Sequence, residues 1–182
     1  MKDLGAKTLL FPMPVLILGT YDKDGNADAM NAAWGGIADD NQVWVCLSSH
    51  KTTENLKLNK ELTVSMGTVE QMTACDYVGI VSANKEPDKI KKAGWTVSKA
   101  KNVNAPIFNE LPLTLECKLV KPDGDKYLLQ IVNIVADEAI LDEKGNVDLA
   151  KFHPIIFDAS KHGYHEIGKR VGDAFSSGKS LM

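Results

Sequence analysis

The chain of 182 residues is 44% hydrophobic and 25% charged, a composition typical of one globular domain with a sizeable core. Its formal net charge of −3 argues against general nucleic-acid binding, which normally needs a basic face. No apolar run has the length of a bilayer span, and residues 1–6 lack the apolar stretch of a signal peptide. We therefore expect one domain over residues 1–182 that is cytoplasmic and has no nucleic-acid or membrane partner.

The first predicted elements are a hairpin and a further strand. Residues 14–20 are an apolar strand candidate, the turn residues at 22–25 fold the chain back, and residues 27–34 form the returning strand. Residues 43–47 are again apolar and predict the next strand.

A cluster of polar side chains follows the strand at residues 43–47. Residues 48–53 contain four hydroxyls, one histidine and one lysine, and a helix is predicted to start there and run over residues 53–60. The first turn of a helix has backbone N–H groups without an intrahelical partner and carries partial positive charge. The segment can therefore bind a phosphate. The alternative interpretation is that Ser48, Thr52 or Thr53 only caps the helix.

The second half of the chain reads as strands joined by tight turns. Residues 62–66 alternate as a half-buried strand does, and every second residue from 111 to 119 is apolar, which is the clearest strand signal in the chain. A turn at residues 122–125 leads into a strand at residues 127–135, and another turn follows at residues 142–146. Hairpins of this kind predict an antiparallel sheet.

The helices are few. Ile167, Val171 and Phe175 fall at four-residue steps on one face and predict a C-terminal helix. The helices predicted after residue 60 span residues 69–80, 88–93 and 164–175.

A closed or nearly closed barrel would hide the edges of so many strands. Six short strands can enclose only side chains, so a ligand would lie on the barrel surface or at a subunit boundary. Small residues surround Trp34 over residues 31–36 and would let a flat ring approach the backbone. A bend or bulge in a barrel strand is the alternative interpretation.

The nucleophilic and metal-binding residues form no recognisable motif. Cys46, Cys75 and Cys117 are widely spaced among apolar neighbours, so we expect buried free thiols. His162 and His165 lack a third ligand of known position and are interpreted as surface or interface residues, so no metal site is predicted. A Ser/His/Asp or Cys/His nucleophilic set and a Gly-rich dinucleotide fingerprint are both missing.

Segments in a fixed order along nearly the whole chain resemble a known family. They are similar to the flavin reductase-like, FMN-binding split-barrel family, closest to flavoredoxin-type members. The segments that carry the resemblance are residues 31–34, 43–55, 75–82 and 88–89, 105–106 with 115–117, and 164–168 with 174–179. The resemblance implies a mainly β fold, a six-stranded antiparallel Greek-key split barrel with a few peripheral helices. It also implies a homodimer with one FMN per subunit near the interface.

The resemblance assigns the cofactor-binding residues in four groups. Those bordering the isoalloxazine ring are Asn31, Ala32, Ala33 and Trp34. Those along the ring and the ribityl chain are Cys46, Leu47, Ser48 and Ser49. Those at the phosphate are Lys51, Thr52, Thr53 and Asn55, in agreement with the helix-polarity argument. Lys89 matches the lysine of an acid–lysine pair and would reach the cofactor as a fixed cation.

The chemistry that this resemblance implies takes place on the bound flavin, so no separate catalytic residue is predicted. Three functions fit: an NAD(P)H-dependent flavin or small-acceptor reductase, a flavoredoxin-type electron carrier that docks to a redox-protein partner, and a flavin-binding protein without turnover. NAD(P)H would be a transient donor that stacks on the exposed ring face. The C-terminal region at residues 152–175, which is rich in apolar side chains, is the expected contributor to the dimer interface, with packing on its own barrel as the alternative.

Overall fold

A computed structural model describes residues 1–182, the whole chain. The strands are β1 (Met13–Pro14), β2 (Leu16–Tyr21), β3 (Ala27–Ala32), β4 (Gly35–Asp39), β5 (Gln42–Cys46), β6 (Glu61–Met66), β7 (Val97–Lys99), β8 (Pro106–Phe108), β9 (Leu113–Asp123), β10 (Lys126–Ala136), β11 (Ile155–Asp158) and β12 (Gly163–Glu166). The helices are α1 (Lys51–Asn59), α2 (Met72–Ile80), α3 (Lys89–Lys92) and α4 (Leu149–Phe152), with 3-10 turns at Glu138–Ile140 and Ser177–Leu181.

The main sheet has seven antiparallel strands in the order β3-β2-β6-β9-β10-β5-β4. Its two edge strands, β3 and β4, are consecutive in the chain and are linked only by Ala33 and Trp34. Because this link is so short, the sheet curls and brings the end of β3 near the start of β4 without pairing them, which makes it a half-barrel. Small sheets of β1-β11-β12 and β7-β8 lie beside it. The predicted antiparallel, mainly β architecture is confirmed.

The hydrophobic core lies on both faces of strand β2. Ile17 and Leu18 are adjacent and both fully buried, yet they belong to different clusters, because successive strand side chains point to opposite faces. The Leu18 cluster contains Val45, Leu62 and Leu129 from the curled sheet. The Ile17 cluster instead joins the sheet to α2, and this contact holds α2 against the outside of the barrel.

The sequence analysis predicted no strand at β4, β7, β8, β11 or β12, and of these only β4 belongs to the main sheet. Residues 35–39 form β4, whereas the sequence analysis interpreted Gly35 and Gly36 either as part of a ring-binding segment or as a bend or bulge. A Cβ added at Gly35 would come 2.9 Å from Leu16 Cδ1 and 2.9 Å from the Trp44 carbonyl oxygen. Glycine at this position therefore lets β4 lie close to β5 and to the Leu16 side chain of β2.

The predicted helix at residues 164–175 is wrong. Tyr164 lies in strand β12, where it pairs with Phe157 of β11, and no helix follows it before residue 177. Ile167, Val171 and Phe175 are exposed and contact no core. A short amphipathic segment without a surface to bury its apolar face is only marginally stable as a helix, so the four-residue spacing alone misleads here.

Helices α1, α2 and α3 agree with the prediction within a few residues at each end, and α4 was not predicted. No helix of this chain is both long and apolar enough to cross a membrane.

Cys75 and Cys117 are buried free thiols, and burial raises the pKa of each thiol to about 12. Cys46 is free and partly exposed.

Candidate functional site

The candidate site is a cavity of about 190 Å³ between strand β3, helix α2 and the β11–β12 hairpin. It contains three residues that the sequence analysis assigned to the flavin ring, Asn31, Ala33 and Trp34. The structure adds five lining residues that the sequence analysis did not assign: Asp76, Gly79, Ile80, Phe157 and Tyr164.

Aromatic rings form one side of the cavity. The Trp34 and Phe157 ring centroids are 6.3 Å apart, and those of Phe157 and Tyr164 are 6.0 Å apart. Trp34 remains 47% exposed, so its indole is available to a planar ligand. Tilted rings at such distances attract each other and fix the shape of the wall.

The opposite side comes from helix α2, which approaches β3 closely. A Cβ added at Gly79 would lie 2.8 Å from Asn31 Cβ, so only glycine permits this contact. The Asn31 side-chain amide donates a hydrogen bond of 3.0 Å to the Cys75 carbonyl oxygen and ties β3 to α2.

A polar pair lies at the floor of the cavity. The Tyr164 hydroxyl donates a hydrogen bond of 2.7 Å to Asp76 Oδ1 across 88 residues of sequence. Burial, together with the hydrogen bond to Asp76 and the charge of that carboxylate, raises the pKa of Tyr164 to about 12. Tyr164 therefore stays a neutral donor throughout the physiological pH range.

The cavity is connected to the start of helix α1 by a direct backbone contact. The Cys46 N–H donates a hydrogen bond of 2.7 Å to the Trp34 carbonyl oxygen, and the exposed Ser48, Ser49 and His50 follow along the chain. Ser49 is three residue steps beyond Cys46, a span of at most about 11 Å. The aromatic cavity and the first turn of α1 therefore lie within reach of a single elongated ligand.

The first turn of α1 has backbone donors without a partner in the protein. The backbone N–H groups of Lys51 and Thr52 have no acceptor within the protein. The Lys51 ammonium lies 3.7 Å from a carboxylate oxygen of Asp22 and is partly exposed. The Ser48 hydroxyl and His50 Nε2 are 2.9 Å apart. The helix polarity that the sequence predicts for phosphate binding is therefore present in the structure.

Three side chains that the sequence analysis assigned to the phosphate make hydrogen bonds within the protein. The Thr52 hydroxyl donates 2.6 Å to Asp28 Oδ2, and the Asn55 amide donates 3.1 Å to Thr20 Oγ1. Thr53 Oγ1 accepts from the His50 N–H at 2.8 Å and donates to the His50 carbonyl oxygen at 2.7 Å. The contacts of Thr53 with the His50 backbone are those of a helix cap, the alternative interpretation given by the sequence analysis.

Lys89 is buried, and its ammonium is fully engaged. It lies 3.0 Å from Asp28 Oδ1 and donates to the carbonyl oxygens of Val81 at 3.1 Å and Val78 at 3.5 Å. These carbonyls are at the C-terminal end of α2 and flank Gly79 and Ile80 in the cavity wall, so the cation stabilises the negative end of the helix. Its predicted contact with the cofactor stays a prediction.

The other assigned residues surround these contacts. Ala32 and Leu47 are buried in the barrel core next to the cavity residues, and Cys46 is half-buried beside Trp34. His165 is exposed with Nε2 3.6 Å from Asp158 Oδ2, and the His162 ring lies 6.4 Å from that of Phe157. Both histidines are at the protein surface, as expected.

Comparison with known proteins identifies relatives of the whole chain. Residues 8–162 match the sequence model of the flavin reductase like domain. Flavoredoxin of Desulfovibrio vulgaris (Miyazaki F) is 32% identical, with a TM-score of 0.94 over 98% of this chain and 100% of that chain. Flavoredoxin from Methanosarcina acetivorans is 27% identical, with a TM-score of 0.86 over 100% of both chains. The FMN-binding domain of a flavin reductases-like enzyme from Shewanella baltica OS155 shares the fold at 20% identity, with a TM-score of 0.79 over 91% of each chain.

The curled antiparallel sheet has the split-barrel fold that the family resemblance implies, and the match to the flavin reductase like domain makes the chain a flavoprotein of this class. The fold class is therefore confirmed, with a seventh strand in the main sheet. The chain belongs to the flavin reductase-like family, and flavoredoxins are among its relatives. Flavin binding and electron transfer are the general functions that this membership supports.

Proposed function

We propose that the protein binds FMN and transfers electrons between a reduced donor, NAD(P)H or a redox protein, and a flavin or another small or protein acceptor. The observation that carries this proposal is the hydrogen bond between Cys46 and Trp34, which joins the aromatic cavity to the exposed start of α1. The aromatic cavity would hold the ring and the start of α1 would hold an anion, and the short chain segment between them suits a flavin that carries a phosphate. Bound FMN would supply a ring that accepts and releases electrons.

The residues present fit the two ends of FMN. Asn31, Ala33 and Trp34 offer an amide, a small side chain and an aromatic face to the ring. Ser48 and Ser49 would follow the ribityl chain. We assign the phosphate to the Lys51 ammonium and the free N–H groups of the first turn, because Thr52, Thr53 and Asn55 donate their hydrogens inside the protein. These three side chains would shape the helix start.

The phosphate assignment is tested by calorimetric titration with FMN, FAD and riboflavin. We expect the protein to prefer FMN. Lys51→Met should weaken the affinity for FMN about tenfold to a hundredfold, the effect of losing a charge-assisted hydrogen bond of about 1.5–3 kcal/mol. Riboflavin affinity should not change. Lys57→Met is the matched control, since Lys57 is exposed in the same helix. Equal affinity for riboflavin and FMN in the unaltered protein would contradict the assignment.

The electron donor is tested on the FMN-loaded protein. Loss of the visible flavin absorbance on addition of NADH or NADPH would show a reductase, with the nicotinamide at the exposed ring face. A carrier would be reduced by a reduced ferredoxin and not by NADH or NADPH. The carrier is the second candidate because two relatives above 25% identity are flavoredoxins. A flavin-binding protein without turnover would respond to none of these donors.

We also propose that the protein is a homodimer with FMN near its interface. Residues 1–12 and 165–182 are exposed throughout and include large apolar side chains, so a second copy would provide the surface that they lack. The exposed Trp34 edge of the cavity is compatible with closure by a partner.

A further inference from the structure

The cavity contains a carboxylate without a cationic partner. Asp76 lines the cavity together with Asn31 and Trp34. None of the ion pairs of the structure includes Asp76, so no Lys, Arg or His nitrogen lies within 4.0 Å of it. The residue is in the middle of α2, away from the positive end of the helix. The charge of this carboxylate is therefore not neutralised locally.

The only side chain that hydrogen-bonds Asp76 is Tyr164, at 2.7 Å, a typical length for a hydroxyl that donates to a carboxylate. Tyr164 is itself fixed, because its backbone pairs with Phe157 in the β11–β12 hairpin and its ring packs on the Phe157 ring. The phenol thus holds the carboxylate in place and withdraws part of its charge. Asp76 should therefore disfavour the gain of negative charge by a neighbouring group, and Tyr164 should favour it.

We propose that Asp76, held and partly screened by Tyr164, lowers the reduction potential of the flavin bound in this cavity and makes the loaded protein a stronger reductant. This inference rests on the proposed function. Reduction of a flavin by two electrons and one proton from the donor adds one negative charge to the ring. A fixed carboxylate beside the ring raises the free energy of the reduced form relative to the oxidised form, more so in a cavity than in water.

The first test is the reduction potential of the FMN-loaded protein, measured by anaerobic equilibration with a redox dye of known potential. Asp76→Asn keeps the shape and an acceptor for Tyr164 but removes the charge. We expect the ratio of reduced to oxidised flavin at a fixed potential to rise at least about tenfold, which is about 30 mV for a two-electron couple. Glu143→Gln, in an exposed turn far along the chain, is the control and should not change the potential.

The second test uses Tyr164→Phe, which keeps the ring and removes the donor. Because the carboxylate then bears its full charge, the potential should fall, opposite to the effect of Asp76→Asn. The double variant should behave like Asp76→Asn alone, because Tyr164 acts through Asp76. A merely structural role would shift both single variants in the same direction.

The outcomes separate this inference from the proposed function. If the unaltered protein does not bind FMN, the proposed function fails, and this inference with it. If FMN binds and neither variant shifts the potential, or both shift it in the same direction, only the role of Asp76 is overturned. If Asp76→Asn does not fold, the sign of the Tyr164→Phe shift decides: a fall in potential supports the proposal and a rise or no change overturns it.

Discussion

At the scale of single residues, Lys89 shows how a charge can be placed deep inside a small protein. Its side chain is 3% exposed, and its ammonium has one carboxylate and two carbonyl oxygens as partners. Asp28 in turn accepts from the Thr52 hydroxyl, so one buried cluster connects α1, α2, α3 and β3. Such a cluster is costly to break, because the remaining group is left charged and without water.

We therefore predict that Lys89→Met lowers the free energy of unfolding by about 3–5 kcal/mol, the cost of leaving a buried partner charge unpaired. Urea unfolding followed by circular dichroism measures this. Lys91→Met, at an exposed lysine of the same short helix, is the control and should cost little. Adding Asp28→Asn to Lys89→Met should recover part of the loss. A single variant as stable as the original would show that the pair is not a structural requirement.

Thr53 is the second residue with a testable local role. Thr53→Val keeps the side-chain shape but removes the acceptor for the His50 N–H, so we expect a loss of about 1 kcal/mol in unfolding free energy. Thr53→Ser should retain most of the stability. Titrations with FMN and riboflavin on the same variants test the phosphate assignment separately: a loss of FMN affinity alone would restore Thr53 to the phosphate site.

At the scale of elements, the sequence predicts best where apolar residues run or alternate along one strand. The structure has strands β2, β6, β9 and β10 near the expected residues. The sequences of β6 and β9 alternate, whereas β2 is an apolar run that is buried at four consecutive positions. The helix expected at residues 164–175 had the correct period for a helix but lacks a core to face. A local pattern cannot reveal this, because the presence of a packing surface depends on the whole fold.

The same limit applies to the site. Asn31, Ala33 and Trp34 line one cavity because they are neighbours in sequence, and their contact with a flavin stays a prediction. Asp76 and Tyr164 were not assigned to it, although both fall in segments that carry the family resemblance. Their contact spans 88 residues and needs β12 as a strand, which the predicted helix excluded.

The β12 strand also contains a pH-dependent contact with the end of α4. His153 Nδ1 lies 2.6 Å from Glu166 Oε1, and this hydrogen bond and the carboxylate charge raise the pKa of His153. Because the folded-state pKa is raised, the stabilisation is fully present below the ordinary histidine pKa of about 6.5 and is lost as the pH rises through the higher folded-state value. We predict by NMR titration that the His153 ring titrates above about 6.5. Glu166→Gln should lower its midpoint, and an unchanged midpoint would contradict the pairing.

At the scale of the whole molecule, both chain ends leave the barrel without burying their apolar side chains. Val171 and Phe175 are 95% and 101% exposed, and every residue from 165 to 182 is exposed. Flavoredoxin of Desulfovibrio vulgaris covers 98% of this chain at a TM-score of 0.94, so the backbone of that relative follows nearly the same path, including most of both chain ends. Exposed apolar side chains in such number favour association, and a stable dimer buries about 800 Å² on each partner.

The last prediction joins this assembly to the flavin site. Phe175→Asp should weaken the dimer if residues 165–182 contact a second copy, and Ser176→Asp, at the neighbouring exposed residue, is the control for the added charge. Analytical ultracentrifugation of both variants, with and without FMN, measures the association. If the flavin lies near the interface, the monomeric variant should bind FMN poorly, and FMN should raise the thermal midpoint of the original dimer by mass action. A monomer that binds FMN tightly at micromolar concentration would instead place the complete site within one subunit.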